Sequence, residues 1–295
     1  MAYSKLKGTG VALVTPFRKD GSVDFKSLEK IVNHTIEGGV DFLVVLGTTG
    51  EAATLSRDER DAVINFIIET NKKRVKIVVG IGGNNTNEVI NNIKERNFDG
   101  IDAILSVVPF YNKPSQRGIF EHFKEIATFS PVPVIMYNIP GRTGINMTAE
   151  TTIKLANTVD NIVGIKEASG NFDQVSKILR DRPVNFSVLS GDDGTTLPLI
   201  AMGADGVISV VANAFPKQFS QLVNDSLDNN FKSAQAMHYK MIDFINSLFA
   251  EGNPAGIKAA LDILGIASNN LRLPLTPVSK VTYQKMQSII AELNK

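Results

Sequence analysis

Short runs rich in Val, Ile and Leu alternate with amphipathic stretches eight times along the chain. The runs are Val11–Thr15, Phe42–Leu46, Lys76–Val79, Ala103–Val108, Val132–Tyr137, Ile162–Lys166, Asn185–Leu189 and Gly206–Val210. They are continuous rather than alternating in polarity, which predicts strands buried on both faces. Between them the apolar positions fall at helical spacing. Leu28, Ile31, Val32, Thr35 and Ile36 share one face, after the cap candidate Asp24 and before Gly38-Gly39. Ser56-Arg57-Asp58-Glu59 reads as a capping box opening a second helix, and Thr86 opens a third. Later helices are expected near Ser115–Phe129, Thr148–Asn157, Asn171–Arg180, Gly194–Met202 and Phe215–Leu227.

Eight consecutive βα units without a break in composition favour an α/β chain folded as a (β/α)8 TIM barrel over an open doubly wound sheet. The units occupy roughly 220 residues, near the size expected of that barrel. After Asn229 no strand signal remains, and Phe231–Phe249, Ala255–Leu264 and Val278–Leu293 read as helices. The expected division is a barrel over residues 1–228 and a C-terminal helical appendage over residues 229–295. In such a barrel the active site lies at the C-terminal ends of the strands, so candidate chemistry is sought just past each apolar run.

Composition narrows the chemistry. Lys plus Arg number 31 and Asp plus Glu 30, leaving no strong field of the kind nucleic-acid binding requires. No apolar run approaches the ~18 residues of a membrane span. Gly10–Phe17 is too short for a signal-peptide core and runs into Arg18-Lys19-Asp20, so a cytoplasmic protein is expected. With no cysteine, thiolate nucleophiles and cysteine-ligated metals are excluded. His34, His122 and His238 are far apart and lack the spacing of a zinc site or triad, and read as surface or packing residues. Catalysis, if present, falls to Lys, Tyr, Ser/Thr, Arg or carboxylates.

The sixth run closes on Lys166. Desolvating an ammonium is costly, and a desolvated lysine keeps part of its amine neutral and nucleophilic. By period two Lys166 shares a face with Ile162 and Gly164, the glycine leaving space beside its stem. Alone, this strand end reads first as a lysine snorkelling to solvent; its neighbours shift the balance. The fifth strand ends at Tyr137, a phenol able to pass a proton, followed by Arg142 in a glycine-flanked loop suited to a carboxylate. Gly47-Thr48-Thr49-Gly50-Glu51 offers hydroxyls and amides to a small anion. Gly80-Ile81-Gly82-Gly83 lacks the third glycine of a dinucleotide fingerprint, so no nucleotide cofactor is expected. Tyr111 supplies a second phenol, and Ser190-Gly191-Asp192-Asp193 ends the seventh strand. No cation-binding cluster accompanies them. Lysine-imine carbon–carbon chemistry on a small anionic keto acid is the reading, with Glu51 and Glu167 as structural acceptors.

Gly47–Glu51, Tyr137–Gly144 and Gly164–Asn171 resemble the pyruvate-dependent class I aldolases, and among them the dihydrodipicolinate synthase family; the likeness extends over Val107–Phe123, Leu189–Asp193 and Leu271–Pro277. The resemblance implies that Lys166 forms an imine with pyruvate, that Tyr137 carries protons, and that Thr48 links Tyr137 to Tyr111 reaching in from a neighbouring subunit. It further implies that Thr49, Gly191 and Ile208 line the pyruvate pocket and that Arg142 orients aspartate semialdehyde, with no cofactor or metal, in a homodimer or homotetramer. The sister N-acetylneuraminate lyases share Lys166 and Tyr137 but usually place a serine before the second threonine and lack the arginine of Pro140–Gly144; both features here favour the synthase. A non-catalytic ligand-binding barrel would have little need to keep these groups together.

Many members of the family are inhibited by lysine at a dimer interface. The matching positions here are Ala52, Ala53, Arg57, Arg60, Asn84, Glu88 and Phe110. Sensitive members have serine, two histidines and tyrosine where this chain has Ala52, Arg57, Arg60 and Phe110. A guanidinium within ~4 Å of the ligand's ammonium costs about 4 kcal/mol at an effective dielectric of 20, against about 0.5–1.5 kcal/mol for a lost hydroxyl partner. Weak or absent lysine inhibition is therefore expected.

Overall fold

The computed structural model describes residues 5–294. Eight parallel strands close into a barrel in chain order: β1 Gly8–Ala12, β2 Phe42–Val45, β3 Lys76–Gly80, β4 Ala103–Val107, β5 Val134–Asn138, β6 Ile162–Glu167, β7 Ser187–Ser190 and β8 Gly206–Ser209. Closure is made by β1 on β8, with Gly10 opposite Ile208. Around the strands run α1 Phe25–Glu37, α2 Arg57–Asn71, α3 Thr86–Lys94, α4 Gln116–Phe129, the single turn α5 Pro140–Thr143, α6 Ala149–Thr158, α7 Phe172–Asp181, α8 Thr196–Ala201 and α9 Pro216–Leu227. The expected capping box is present: Ser56 Oγ accepts from Glu59 N at 3.2 Å, and Glu59 answers by accepting from Ser56 N at 2.9 Å.

Why the strand runs are continuously apolar is visible in two packed layers. Phe42, Val44, Val78, Ala103, Leu105, Ile135, Leu189 and Ile208 fill the lumen. Leu43, Val45, Val79, Ile104, Val134, Ile165 and Val188 alternate with them and face the helices. The lumen accommodates the Phe42 ring because β1 offers glycine there: a Cβ on Gly10 would stand 2.1 Å from Phe42 Cε2.

Two local expectations need correction. The first strand is Gly8–Ala12, not Val11–Thr15. Its first residues, Gly8, Thr9 and Gly10, lack the apolar side chains that signal a strand. The apolar run continues past the strand because Leu13 and Val14 are buried in the outer core. In β6 the register shifts, Val134 pairing with Ile162 but Ile135 with Gly164. The extra residue flips the strand's early alternation. Ile162 therefore lies in the outer core and Val163 packs against the lumen, so Lys166 does not share a face with Ile162.

Residues 229–294 supply α10 Phe231–Phe249, α11 Ala255–Ile263 and α12 Lys280–Leu293. Met241, Phe244, Leu248, Ile257, Met286 and Ile290 join the same continuous outer core as the barrel helices. Phe244 meets Phe215 edge-on at 4.9 Å.

Introducing a methyl at Gly10 overpacks the lumen, so Gly10→Ala should cost about 1–3 kcal/mol of folding free energy. Phe42→Leu removes the ring it strikes, and the double variant should lose less stability than the two single losses added together. Urea unfolding of the three variants at one protein concentration checks this; strict additivity would show that the ring does not fill that space.

Candidate active site

The C-terminal rim of the barrel gathers the side chains that could react. In the ladder, Tyr137 of β5 stands directly opposite Lys166 of β6. Lys166 is 6% exposed, and its Nζ lies 4.4 Å from the centroid of the Tyr137 ring. Burial pulls the amine down to about 8; Asp193 and Asp192 oppose the shift and Arg142 adds to it. Tyr137 is also buried, which pushes its phenol up to about 12 against the pull of Arg142 and a hydrogen bond with Thr48.

The space beside Lys166 comes from a different glycine than expected. A Cβ on Gly164 would press on the backbone oxygen of Ser187 at 2.8 Å, whereas one on Gly191 would stand 3.1 Å from Lys166 Cε and 2.6 Å from Ala168 Cβ. Gly191 is the residue that leaves room for the lysine stem.

Thr48, Thr49 and Gly50 form a 3₁₀ turn after β2. Thr48 is exposed at its tip, while Thr49 is buried and its Oγ1 accepts from Asn253 Nδ2 at 3.0 Å. Gly50 O accepts from Thr15 Oγ1 at 2.7 Å. Arg142 sits on the exposed turn α5, with Nη2 donating to Asn253 O at 3.4 Å. Ile208 is buried in the lumen cluster that also holds Leu189 and Tyr137.

Lys166, Tyr137, Thr48, Arg142 and Gly191 thus converge, with Thr49 and Ile208 on neighbouring strand ends. Tyr111 does not join them within one chain: it is 85% exposed on a left-handed backbone, φ 73°.

Three features of the site escaped sequence reasoning. Asp193 is buried, and its carboxylate accepts from Ser209 Oγ at 2.6 Å and from the amides of Val210 and Val211 at 3.1 and 3.3 Å. Burial raises it to about 6. Its signal was its place at the end of a strand. Asn253 had none, because it lies beyond the barrel in the chain. The third is Glu51: expected as an acceptor, it also forms a buried ion pair with Lys258 of α11. Glu167 does act as an acceptor, from Ser169 N at 2.7 Å and from Asn138 and Gln174.

Among the described residues no group of three His, Asp or Glu side chains could hold a metal ion, and no helix is long and apolar enough to cross a membrane. His122 is buried against Thr86 Oγ1, and His34 bonds the carbonyl of Ala214. Of the positions matching the lysine pocket, Arg57 is paired with Glu95 at 2.6 Å, and Arg60 Nε donates to Ser56 O at 3.4 Å.

Comparison with known proteins agrees with this architecture. The chain is 49% identical over 294 residues to a 4-hydroxy-tetrahydrodipicolinate synthase of Parabacteroides distasonis, covering 100% of this chain and 99% of that protein. It is similar to the crystal structure of dihydrodipicolinate synthase from Aquifex aeolicus, with a TM-score of 0.95 at 40% identity over 98% of each chain. The dihydrodipicolinate synthase of Thermotoga maritima superposes with a TM-score of 0.96 at 38% identity, covering 98% of this chain and 99% of that one. Residues 5–293 match the Dihydrodipicolinate synthetase family, and with likeness running through sequence and barrel alike, the chain belongs to that family.

Proposed function

We propose that the protein condenses pyruvate with L-aspartate 4-semialdehyde through an imine on Lys166, releasing 4-hydroxy-tetrahydrodipicolinate in the diaminopimelate and lysine biosynthesis pathway. The observation that carries the reading is the buried Lys166 amine, lowered to about 8 and held over Tyr137. The similarity to 4-hydroxy-tetrahydrodipicolinate synthases supports the same reaction.

The neutral Nζ attacks C2 of pyruvate. Two proton transfers then expel the former carbonyl oxygen as water, leaving the imine. Loss of a proton from C3 gives the enamine, whose C3 attacks the aldehyde carbon, and the aldehyde oxygen takes a proton to become the hydroxyl. The amine of the former semialdehyde next attacks C2, displacing Lys166 and closing the ring. One water leaves per turnover, and no cofactor or metal is required.

Tyr137 is placed to shuttle these protons. Its phenol is pushed up to about 12, so it works as an O–H that gives and regains a proton rather than as a standing phenolate. Thr48 continues the relay towards Tyr111 of a second subunit. Thr49, Gly191 and Ile208 line the pyruvate side, and Arg142 takes the semialdehyde carboxylate with its guanidinium fork. In this reading residues 1–228 are the catalytic barrel and residues 229–295 its helical support, and the protein is a cytoplasmic homodimer or homotetramer. Lysine is a poor inhibitor. Arg57 is partly neutralised by Glu95, but Arg60 has no carboxylate at ion-pair distance among the described residues and meets the ligand's ammonium with like charge.

Cyanoborohydride with pyruvate should add a reduced pyruvyl group to Lys166 and to no other lysine, read by peptide mass mapping; absence of that adduct refutes the reaction. A lowered lysine pKa leaves the amine neutral above about 8 and charges it as pH falls. The initial rate of trapping should therefore level off above about pH 8 and fall about tenfold per pH unit well below it. Because Tyr111 is needed from a partner, dilution that dissociates the oligomer should lower specific activity, followed by assay alongside sedimentation. Dissociated chains that keep full activity would contradict the shared relay. In the coupled assay at fixed pyruvate, half-inhibition by lysine should require more than about 1 mM, a binding free energy of ~4 kcal/mol. Tighter inhibition would show that the arginines turn away from the pocket.

A further inference from the structure

The turn that carries Thr48 is bracketed by two non-glycine residues in the left-handed region, Leu46 at φ 58° and Glu51 at φ 50°. A Cβ disfavours that conformation, so such backbone persists only where surrounding contacts over-determine it. At Glu51 those contacts come from the far end of the chain. The carboxylate has no exposed surface and is ion-paired with Lys258 of α11, itself 2% exposed. Lys258 Nζ also donates to Asn270 O at 2.9 Å and lies 4.1 Å over the Phe17 ring. The second Glu51 oxygen accepts from the amide of Arg272 at 3.2 Å. Arg272 in turn clasps Glu59, the Gly21 carbonyl and the Thr54 carbonyl, closing a ring of contacts around the loop.

Neither member of this pair is among the charged groups that bear on the reacting amine. The charged groups that bear on Lys166 are Asp193, Arg142 and Asp192. Its influence on the site is mechanical and runs through the backbone: Glu51 N donates to Thr48 O at 3.1 Å, closing the turn on which the Thr48 side chain meets Tyr137.

We infer that Lys258 and Glu51 are positioning residues, whose buried ion pair locks the left-handed turn at Glu51 and so keeps the Thr48 hydroxyl on the Tyr137 phenol. The inference rests on the function proposed above. It assigns the C-terminal helices a part in catalysis, since α11 fixes the proton relay without touching substrate. Pyruvate binding depends on Lys166, the lumen wall and Thr49, whose hydroxyl Asn253 holds separately from the pair, and should survive its loss, while the proton-transfer steps should slow.

Removing one partner would strand a buried charge, so the informative variant removes both. Full-length Glu51→Gln/Lys258→Met should fold, as circular dichroism and cooperative unfolding would show, and half-saturate with pyruvate in cyanoborohydride trapping within about threefold of the parent. Its turnover should fall at least about tenfold, the scale of a displaced catalytic group. Lys258→Arg, which keeps the charge, should recover most of that loss. Should the double variant not fold, Glu51→Gln, in which Lys258 can shed its proton, serves for the same readings. Parental turnover in a folded variant lacking the pair overturns the inference. So does a fall in pyruvate affinity that matches the fall in turnover, because that marks general loosening. Failure of the parent protein itself to trap pyruvate on Lys166 would instead refute the proposed function.

Discussion

Keeping an amine out of water at the end of a barrel strand is the constraint on which the rest of the site depends. An ammonium resists desolvation, so the chain must either pair it or let it lose its proton. At Lys166 the balance moves towards the second outcome, the amine being lowered to about 8 so that part of it is neutral near pH 7. The aromatic face of Tyr137 and the apolar lumen exclude water, Arg142 repels the charged form, and Asp193 tempers the effect without forming an ion pair. Gly191 belongs to the same solution, because a methyl there would press on the lysine stem. Loops that look unrelated in sequence are thus answers to one electrostatic demand.

Two buried lysines show how surroundings decide chemistry. Burial pulls both Lys166 and Lys258 below the usual lysine range. Lys258 meets a carboxylate, a carbonyl and a ring, which hold it in place, and the carboxylate favours its charged form. Lys166 has a ring beneath it and no carboxylate at ion-pair distance among the described residues. One is spent on architecture and the other is left reactive, although the residue type is the same.

The sequence exposed most of the barrel because hydrophobic burial on both faces leaves an unbroken apolar run. That signal fails wherever burial and strand cease to coincide. Gly8–Gly10 are strand without apolar side chains, and Leu13–Val14 are apolar core without strand. The register shift ahead of Gly164 breaks the period-two rule, and with it the placement of Ile162. The choice of glycine beside Lys166 fails for another reason, since the space at Gly164 is taken by Ser187 of the next strand. A ladder irregularity arises between strands, so one strand's own residues do not announce it.

What the sequence alone determined was the alternation of eight strands and helices, the rim on which Lys166, Tyr137, Thr48 and Arg142 fall, and the lack of thiol chemistry. These follow from local pattern and residue type, which need no partner to be read. Tertiary structure alone decided that the Lys166 amine is lowered, that Asp193 stands near it, that Gly191 makes its space, and that Asn253 and Lys258 reach back some 200 residues to hold Thr49 and Glu51. The reason is physical: desolvation and steric room are properties of the enclosing volume. That volume exists only once distant parts of the chain have closed around it.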